Sequence, residues 1–451
     1  MNHFPEAEHA ILDVLGIGFG PSNLALAIAL EEHNAAMSDQ DVLRAGFFEK
    51  QSRFGWHRGM LIDDATMQVS FLKDLVTMRN PVSDFSFISY LYSQGRLTDF
   101  INHKILFPLR IEFHDYLEWA ASRLADLVAY DSEVIDVRPV MDGDVAAYFD
   151  VVVRHPASSG ETSIRRARNV VVAAGLEQKL PPGVRLSDRV WHNLDLVTRA
   201  DALPAVPSPR RFIVFGAGQS AAEAIDYLHR RFPQAEVCSV FCRYGYTLAD
   251  DSPFANRIFD PEAVDIYFDA PKDVKRALFD YHRNTNFSVV DQDLIEELYR
   301  RVYQEKVKGR QRLRILNASR VSEVVATPGG VEATVEYMPT GERTVMPCDA
   351  LVYATGYRPV DALRLLGEAG QLCLRDDEGM VRVERDYRVA MAAPTRGGIY
   401  VQGGTEHAHG ITSTLLSNIA IRSGEILQSI LDRVRIDRAR RKPVALLSDH
   451  V

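Results

Sequence analysis

Two glycine-rich turns, 200 residues apart, constrain the fold of this chain more than any other feature. The first is Gly16-Ile17-Gly18-Phe19-Gly20-Pro21, and the second is Gly216-Ala217-Gly218-Gln219-Ser220-Ala221. Each follows a strand-like apolar run, at 11–16 and 211–216, and precedes a helix-like segment. Such a turn presents backbone N–H groups and a helix N-terminus to a pyrophosphate. The sequence therefore predicts an α/β protein with two Rossmann-like dinucleotide-binding domains.

The residue at the end of the second strand of each unit distinguishes the two predicted sites. In the first unit, a strand over 43–49 ends at Glu49, and an acid in that place suits a free ribose diol, as in FAD. In the second unit, a strand over 236–242 ends without an acid and is followed by Arg243. A guanidinium there suits a 2′-phosphate, although a plain surface arginine is the alternative interpretation. We therefore predict FAD at the first turn and NADPH at the second, a layout that passes electrons from a nicotinamide to a flavin.

The length of 451 residues predicts more than one domain. A proline-rich stretch at 203–209 is the predicted linker. Aromatic and mostly helical sequence at 245–310 predicts a small substrate-binding region, and an amphipathic helix is predicted over 414–433. The predicted domains are an FAD-binding domain over 1–203, an NADPH-binding domain over 204–340 that includes the helical region, and a return to the FAD-binding domain over 341–451.

Composition and charge exclude several classes of function. The net charge of −9 argues against nucleic acid as a partner. The acidic segment Met1–Glu8 is not a signal peptide, and the apolar stretch near 10–30 is interrupted by Asp13 and does not predict a membrane span. Four cysteines without a CxxC pair indicate reduced thiols, and so a cytoplasmic protein.

Three short polar segments permit both an ordinary and a functional interpretation. Lys73 could bind a substrate carboxylate, but an exposed lysine explains the pattern as well. Asn256 and Asn286 lie in loops whose composition is typical of turns. His407 and His409, two residues apart and without further spaced ligands, make a poor zinc site, so no metal is predicted.

Together these segments resemble the flavin-dependent N-hydroxylating monooxygenases of siderophore biosynthesis, specifically the L-ornithine N5-monooxygenases. The resemblance extends from about Leu12 to about Leu427. The chain departs from it at Ile411-Thr412-Ser413, where many relatives carry Leu-Ser-Asp. The matching motifs are Gly18-Phe19-Gly20-Pro21-Ser22-Asn23-Leu24, Gln68 with Phe71-Leu72-Lys73-Asp74-Leu75, Arg79-Asn80-Pro81, Gly216-Ala217-Gly218-Gln219-Ser220-Ala221, Asp250-Asp251-Ser252-Pro253-Phe254, Asn284-Thr285-Asn286, Ala354-Thr355-Gly356-Tyr357 and His409-Gly410 with Leu415-Leu416-Ser417.

The resemblance implies roles for particular residues, none of which is a catalytic side chain because the flavin carries the chemistry. Lys73 and Asn256 are implied to bind the α-carboxylate of an amino acid, with Asn286 at its amino end and Gln68 at the flavin edge. Implied FAD contacts are Gly16, Gly18, Gly20, Pro21, Asn23, Glu49, Lys50, Trp56, His57 and Gln68. Implied NADPH contacts are Gly216, Gly218, Gln219, Ser220, Arg243 and Asn286. Thr355, Gly356, Thr414 and Leu415 are implied to lie near both cofactors.

The activity implied by the resemblance is the NADPH- and O2-dependent hydroxylation of the side-chain amine of L-ornithine. The implied product is N5-hydroxyornithine, formed through a C4a-hydroperoxyflavin and supplied to hydroxamate siderophore biosynthesis. A homotetramer is implied as well. Two alternatives stay open: N-hydroxylation of L-lysine or a diamine by the same mechanism, and a non-catalytic NADPH or flavin sensor.

Two other classes of flavoprotein lack their motifs in this sequence. A flavin disulfide reductase needs a redox cysteine pair near the flavin, and no cysteine precedes Cys238. A Baeyer–Villiger monooxygenase is expected to carry FxGxxxHxxxW, which is absent between Ala173 and Asn193.

Overall fold

The computed structural model describes residues 10–156, 160–203 and 208–441. Met1–Glu8 and most of the predicted linker at 203–209 lie outside these ranges. The strands are β1 (Ile11–Ile17), β2 (Ala45–Phe48), β3 (Val128–Ala129), β4 (Glu133–Asp142), β5 (Val145–His155), β6 (Glu161–Val172), β7 (Leu176–Gln178), β8 (Val190–His192), β9 (Arg211–Phe215), β10 (Glu236–Val240), β11 (Leu313–Leu316), β12 (Ser319–Thr327), β13 (Gly330–Tyr337), β14 (Glu342–Cys348), β15 (Ala350–Tyr353), β16 (Tyr357–Pro359) and β17 (Gly398–Val401).

The α-helices connect and cover these strands. They are α1 (Pro21–Ala35), α2 (Phe87–Ser93), α3 (Leu97–His103), α4 (Arg110–Ser122), α5 (Leu196–Asp201), α6 (Gln219–Arg231), α7 (Pro261–Asp269), α8 (Lys272–His282), α9 (Gln292–Val307), α10 (Ala362–Leu365), α11 (Gly367–Gln371), α12 (Glu406–His409) and α13 (Ile419–Arg441). None of the helices within the described ranges is long and apolar enough to cross a membrane.

The first sheet has the order β3-β2-β1-β6-β5-β4, with β17 also paired to β6. Strands β3, β2, β1, β6 and β17 are parallel, whereas β4, β5 and β6 form an antiparallel meander. Helix α1 is buried along residues 23–30 because it packs against both α4 and the C-terminal helix α13. Because the first turn follows β1, which is parallel to β6, it lies at the carboxyl ends of these strands, where open α/β sheets bind ligands.

The second sheet is entirely parallel and has the order β11-β10-β9-β15-β8. Helix α6 packs against β9 and β10, and α9 packs against α6. A three-stranded antiparallel sheet, β12-β13-β14, and a two-stranded pair, β16-β7, complete the strands. Both predicted Rossmann-like units are thus present, with strand, turn and helix in the predicted places.

The pairing of β8 and β15 bears on two of the sequence-based domain boundaries. β8 pairs with β15, and β15 pairs with β9, so all three lie in the second sheet. The boundaries at 203 and 340 had assigned β8 and β15 to the FAD-binding domain. We propose instead that the chain enters the second domain before β8 and leaves it after β15. Short strands far apart in sequence give no local signal of the sheet that they join.

Two helical segments differ in extent from their sequence-based bounds. The helix predicted over 414–433 begins only at Ile419, because residues 411–414 form a separate 3₁₀ turn. The region at 245–310 is mostly helical as expected, with a 3₁₀ turn at Ala255–Phe259 followed by α7, α8 and α9.

Candidate functional site

The first glycine turn forms an open cradle at the start of α1. Gly18 has φ +84°, and a Cβ there would lie 2.5 Å from the carbonyl oxygen of Ala173. A Cβ at Gly16 would lie 2.2 Å from the ring of Phe47. A Cβ at Gly20, by contrast, would meet nothing within 4 Å. Two glycines are therefore needed for the turn itself, and the third leaves space before the helix for a group such as a pyrophosphate.

Glu49 is fixed beside this cradle by backbone donors. The residue directly follows β2 and is 6% exposed. Its Oε2 accepts from the N–H of Phe19 at 2.8 Å, and its Oε1 accepts from the N–H of Gln51 at 2.9 Å. A carboxylate has further lone pairs, so the side chain can still accept from ribose hydroxyls. The turn and this acid together fit FAD.

The side chain of Asn23, implied by the resemblance to contact FAD, is held by other protein groups. It is fully buried. Its Nδ2 donates to the carbonyl of Gly18 at 2.7 Å, and its Oδ1 accepts from Nε2 of Gln402 at 3.0 Å. Through these hydrogen bonds the side-chain amide of Asn23 stabilises the turn. Pro21 occupies the first position of α1, and Lys50 is exposed.

Trp56, His57 and Tyr357 form an aromatic group. The ring centroid of His57 is 4.7 Å from that of Trp56 and 5.9 Å from that of Tyr357. Burial, assisted by the charge of Arg110, lowers the pKa of His57 to about 4. His57 is therefore neutral near pH 7.

The second glycine turn is built like the first. Gly216 has φ +153°, and a Cβ there would lie 2.3 Å from the carbonyl oxygen of Ala354. A Cβ at Gly218 would touch Cα of Ser288 at 3.4 Å. Arg243 is exposed, and its Nη1 donates to the carbonyl of Ser288 at 2.8 Å. Ser220 is half-buried in the first turn of α6. A guanidinium is thus held beside the second turn by the loop that also covers Gly218.

A polar network joins the two domains beside the second turn. Gln68 and Gln219 both donate to Oδ2 of Asp291, each at 3.1 Å. Gln219 also donates to Glu223, which forms a bidentate ion pair with Arg110 at 2.7 and 2.9 Å. Burial raises the pKa of Asp291, although the hydrogen bond from Gln68 opposes the shift. The network fixes Gln68 and Gln219, two of the sequence-based site residues.

Lys73 is a half-buried cation without a carboxylate partner. Its Nζ lies 5.8 Å from the ring centroid of Phe259, in the 3₁₀ turn that contains Asn256. Burial lowers the pKa of Lys73, and Asp260 partly offsets the effect. Over the described ranges, no carboxylate oxygen lies within ion-pair distance of this ammonium group. The ammonium is available for an anionic ligand.

The two asparagine loops are joined to each other. The N–H of Asp250 donates to the carbonyl of Asn284 at 3.1 Å. Nδ2 of Asn256 donates to the carbonyl of Asp251 at 2.7 Å, which leaves one N–H and the oxygen of the amide for a ligand. Asn286 is half-buried, and its backbone N–H donates to the carbonyl of Arg283; its side-chain amide has no hydrogen-bond partner among the described residues. The structure thus gathers Lys73, Asn256 and the Asn286 loop in one region.

Residues 10–359 match the family of L-lysine 6-monooxygenases and L-ornithine 5-monooxygenases. The chain belongs to this family. An L-ornithine N(5)-monooxygenase of Burkholderia cepacia is 41% identical over 409 residues, which is 89% of this chain and 90% of that protein. An ornithine N-hydroxylase of Kutzneria sp. 744, in a structure with reduced FAD, NADP+ and L-ornithine, has a TM-score of 0.89 and 47% identity, covering 94% of this chain and 100% of that one. An L-lysine 6-monooxygenase of Pseudomonas syringae has a TM-score of 0.81 and 31% identity, again covering 94% of this chain and 100% of that one.

The residues implied by the resemblance to lie near both cofactors are found on two further turns. The hydroxyl of Thr355 donates to the carbonyl of Lys179, and Gly356 has φ +86°. The hydroxyl of Thr414 donates to Glu406 at 2.8 Å, and Leu415 is half-buried. The 411–414 turn packs against the 3₁₀ turn at Ala255–Phe259, which carries Asn256.

The two histidines considered for a metal are engaged elsewhere. Nε2 of His407 donates to the carbonyl of Val381 at 2.8 Å, and Nε2 of His409 donates to that of Arg385 at 3.2 Å. Cys238, Cys348 and Cys373 are buried, Cys242 is exposed, and all four are free thiols.

Sequence reasoning missed several polar residues that shape the site of this monooxygenase. Asp291, Glu223 and Arg110 belong to none of the motifs recognised in the sequence. Arg422 carried a signal that could have been used, because it is an arginine between Ile419 and Ile426 on the apolar face of α13. Spacings of three and four residues place these side chains on one face of a helix.

Proposed function

We propose that this chain is a flavin-dependent L-ornithine N5-monooxygenase. It uses NADPH and O2 to hydroxylate the side-chain amine of L-ornithine, and the product serves hydroxamate siderophore biosynthesis. One oxygen atom of O2 enters the new N–O bond, the other leaves as water, and NADPH supplies two electrons. The observation that carries the proposal is the unpaired, half-buried ammonium of Lys73 beside the Asn256 loop, in a chain with two dinucleotide turns.

The cofactors are FAD at the first turn and NADPH at the second. The cradle at Gly20 and the fixed carboxylate of Glu49 suit the pyrophosphate and ribose of FAD. The exposed guanidinium of Arg243 beside Gly218 suits the 2′-phosphate of NADPH. When bound, FAD takes electrons from NADPH and activates O2, which is chemistry that no protein side chain supplies.

The protein residues bind the amino acid by its charged end. Lys73 contributes a point charge for the α-carboxylate, while the amides of Asn256 and Asn286 contribute directed hydrogen bonds to the carboxylate and the amino end. With that end fixed, the length of the side chain decides how far the terminal amine reaches. Gln68 is held by its hydrogen bond to Asp291, beside the second turn.

The terminal amine must be neutral to attack oxygen. An alkylamine has a reference pKa of about 10.4 and is mostly protonated near pH 7. Burial of the substrate amine in a site without an acidic partner lowers the pKa of that amine, because desolvation disfavours its charged form. Turnover is therefore expected to rise as the solution becomes mildly alkaline.

L-lysine and diamines are the competing substrates. Lysine is one methylene longer than ornithine, and a methylene in a fitted pocket changes binding by roughly 1–3 kcal/mol. A diamine lacks the carboxylate that Lys73 would bind. A non-catalytic NADPH or flavin sensor is the competing class, but it leaves the Lys73 and asparagine cluster without a purpose.

We further propose a homotetramer in the cytoplasm, with O2 as co-substrate. Exposed apolar side chains at Val82, Tyr92 and Ile101 support a contact between subunits. Light scattering on the purified protein tests the proposed tetramer, and a monomer at micromolar concentration contradicts it.

The substrate assignment is tested by Lys73→Met. Hydrogen bonds to charged groups contribute about 1.5–3 kcal/mol, so we expect the KM for ornithine to rise about 10- to 150-fold. The KM for NADPH is expected to stay unchanged. Both constants are measured by hydroxylamine formation in the FAD-loaded enzyme.

Lys308→Met, an exposed lysine at the end of α9, is the matched control and should alter neither constant. Putrescine gives an independent comparison because it has the amine but no carboxylate. Efficient hydroxylation of putrescine by the unaltered enzyme, or equal effects of Lys73→Met on ornithine and NADPH, contradicts the assigned role of Lys73.

A further inference from the structure

Arg422, on α13, is a buried arginine without a counter-ion. The residue is 2% exposed. In the part of the chain that the structure describes, no carboxylate forms an ion pair with it, and Glu425 on the same helix is already bound by Arg385 at 2.9 and 3.1 Å. Burial lowers the pKa of Arg422. A buried charge of this kind is costly unless something else compensates it.

The guanidinium of Arg422 reaches three separate segments. Its Nη1 donates to the carbonyl of Ser413 at 2.8 Å, and more weakly to that of Thr412 at 3.4 Å. Its Nη2 donates to Oγ of Ser22 at 3.3 Å, and its Nε donates to Oε1 of Gln402 at 3.4 Å. Arg422 therefore connects the start of α1 with the 411–414 turn.

Ser22 lies at the mouth of the first glycine turn. It is the second residue of α1, after Pro21, and it is half-buried. Because Arg422 donates to its Oγ, the hydroxyl proton of Ser22 is left to donate to another group. Pro21 has no N–H, so the Ser22 hydroxyl adds a donor at a helix start that lacks one.

The other end of the connection touches the substrate loops. The 411–414 turn packs against Ala255–Phe259, the segment that carries Asn256. The buried carbonyls of Thr412 and Ser413 are held by Arg422 rather than by α13, which begins five residues after Thr414. One side chain thus ties the FAD turn to the wall of the proposed ornithine pocket.

We propose that Arg422 is a positioning residue whose counter-charge is the pyrophosphate of FAD. It orients the hydroxyl of Ser22 toward that pyrophosphate and holds the 411–414 turn in register with it. The inference rests on the proposed function for the identity of the ligand. Its readout is FAD binding, which needs neither ornithine nor turnover, so a failure of the ornithine assignment would leave this result standing.

The test is a double-mutant cycle on the dissociation constant of FAD, measured by titrating FAD into the apoprotein and following flavin fluorescence. We expect Arg422→Met to raise this constant at least 30-fold and Ser22→Ala to raise it about tenfold. The double variant should bind FAD no more weakly than Arg422→Met alone, because both changes remove the same connected interaction. Arg422→Lys should recover part of the affinity.

Arg433→Met is the matched control. Arg433 is also on α13, is half-buried, and donates to the carbonyl of Gly397 at 3.0 Å. Its loss should leave the FAD dissociation constant unchanged. If Arg422→Met does not fold, Ser22→Ala and Arg422→Lys still give the result. The proposal is overturned if both of those variants bind FAD within twofold of the unaltered protein, or if the effects of the two sites multiply independently.

Discussion

Lys73, Arg243 and Arg422 each lack an ion pair with a carboxylate within the described residues. Most other arginines with low exposure, such as Arg110 and Arg301, are paired with acids. Each of these three cations contacts one of the loops or turns assigned to a ligand here. An unpaired charge is expensive where it is buried, as at Lys73 and Arg422, unless a ligand uses it. Arg243 is exposed but lies beside the second turn. We take these three residues as the chemical core of the site.

Arg243→Gln should weaken the binding of NADPH but not that of NADH. The guanidinium is placed to bind the 2′-phosphate, and hydrogen bonds to charged groups contribute about 1.5–3 kcal/mol. The KM for NADPH is therefore expected to rise about 10- to 150-fold, by the same conversion, while the KM for NADH changes little. Steady-state oxidation of both nucleotides measures the two constants. Arg300→Gln, exposed on α9, is the control, and equal changes for both nucleotides contradict the assignment of Arg243.

His409 should make the protein sensitive to acid. Burial lowers its pKa to about 3 from an ordinary value near 6.5. Above pH 6.5 His409 is neutral in both the folded and the unfolded protein. Between pH 6.5 and 3 it is protonated in the unfolded protein but still neutral in the folded one. Stability should then fall by up to about 1.4 kcal/mol per pH unit between pH 6.5 and 3.

His409→Phe gives the measurement for this effect. The His409 ring stacks on Tyr387 at 4.1 Å between centroids, and phenylalanine can keep that stack without titrating. The free energy of unfolding in urea, compared at pH 7.5 and pH 5, should fall less in the variant than in the unaltered protein. Equal losses in the two proteins show that His409 does not carry a depressed pKa.

At the scale of elements, the glycine turns have separable structural and binding roles. Gly18 has positive φ and no room for a Cβ, whereas Gly20 is extended, at φ −77° and ψ −174°, with open space around it. Gly18→Ala should therefore lower the melting temperature of the apoprotein. Gly20→Ala should leave that temperature unchanged but weaken FAD binding, because the methyl group would enter the cradle.

Thermal melts of the apoprotein and FAD titrations measure the two effects independently. If Gly20→Ala binds FAD as well as the unaltered protein, the pyrophosphate does not lie in the cradle at the start of α1. If Gly18→Ala melts like the unaltered protein, the turn tolerates a side chain despite its left-handed backbone.

The elements that could be predicted from sequence are those with a local pattern. The predicted strands at 11–16 and 211–216 agree with β1 and β9 to within one residue, and a helix follows each turn as predicted, because apolar runs ending in glycine turns are strong local signals. The start of α13 was placed too early, since the 411–414 turn depends on Arg422, eight residues beyond its end. β8 and β15 lie outside the sequence-based bounds of the NADPH-binding domain, although they pair within the second sheet, since pairing across about 160 residues leaves no trace in either strand.

At the scale of the whole molecule, the site is a product of the two domains meeting. Gln68 follows the α1–β2 unit of the first domain, while Asp291 and Gln219 come from the second domain. Both glutamine side chains donate to the carboxylate of Asp291. The motifs around Lys73, Asn256 and Asn286 could be read from sequence only through a family resemblance. Their convergence, and the roles of Asn23 and Arg422, depend on contacts between segments up to 400 residues apart.

The ratio of hydroxylated product to NADPH consumed tests the central claim most directly. It is measured with FAD-loaded protein and, side by side, L-ornithine, L-lysine and putrescine, with H2O2 determined in each reaction. We expect N5-hydroxyornithine in near-stoichiometric yield with ornithine. Lysine should stimulate NADPH oxidation but yield mostly H2O2, because its amine overshoots by one methylene. Efficient hydroxylation of lysine, or NADPH consumption without any hydroxylamine from ornithine, would contradict the account.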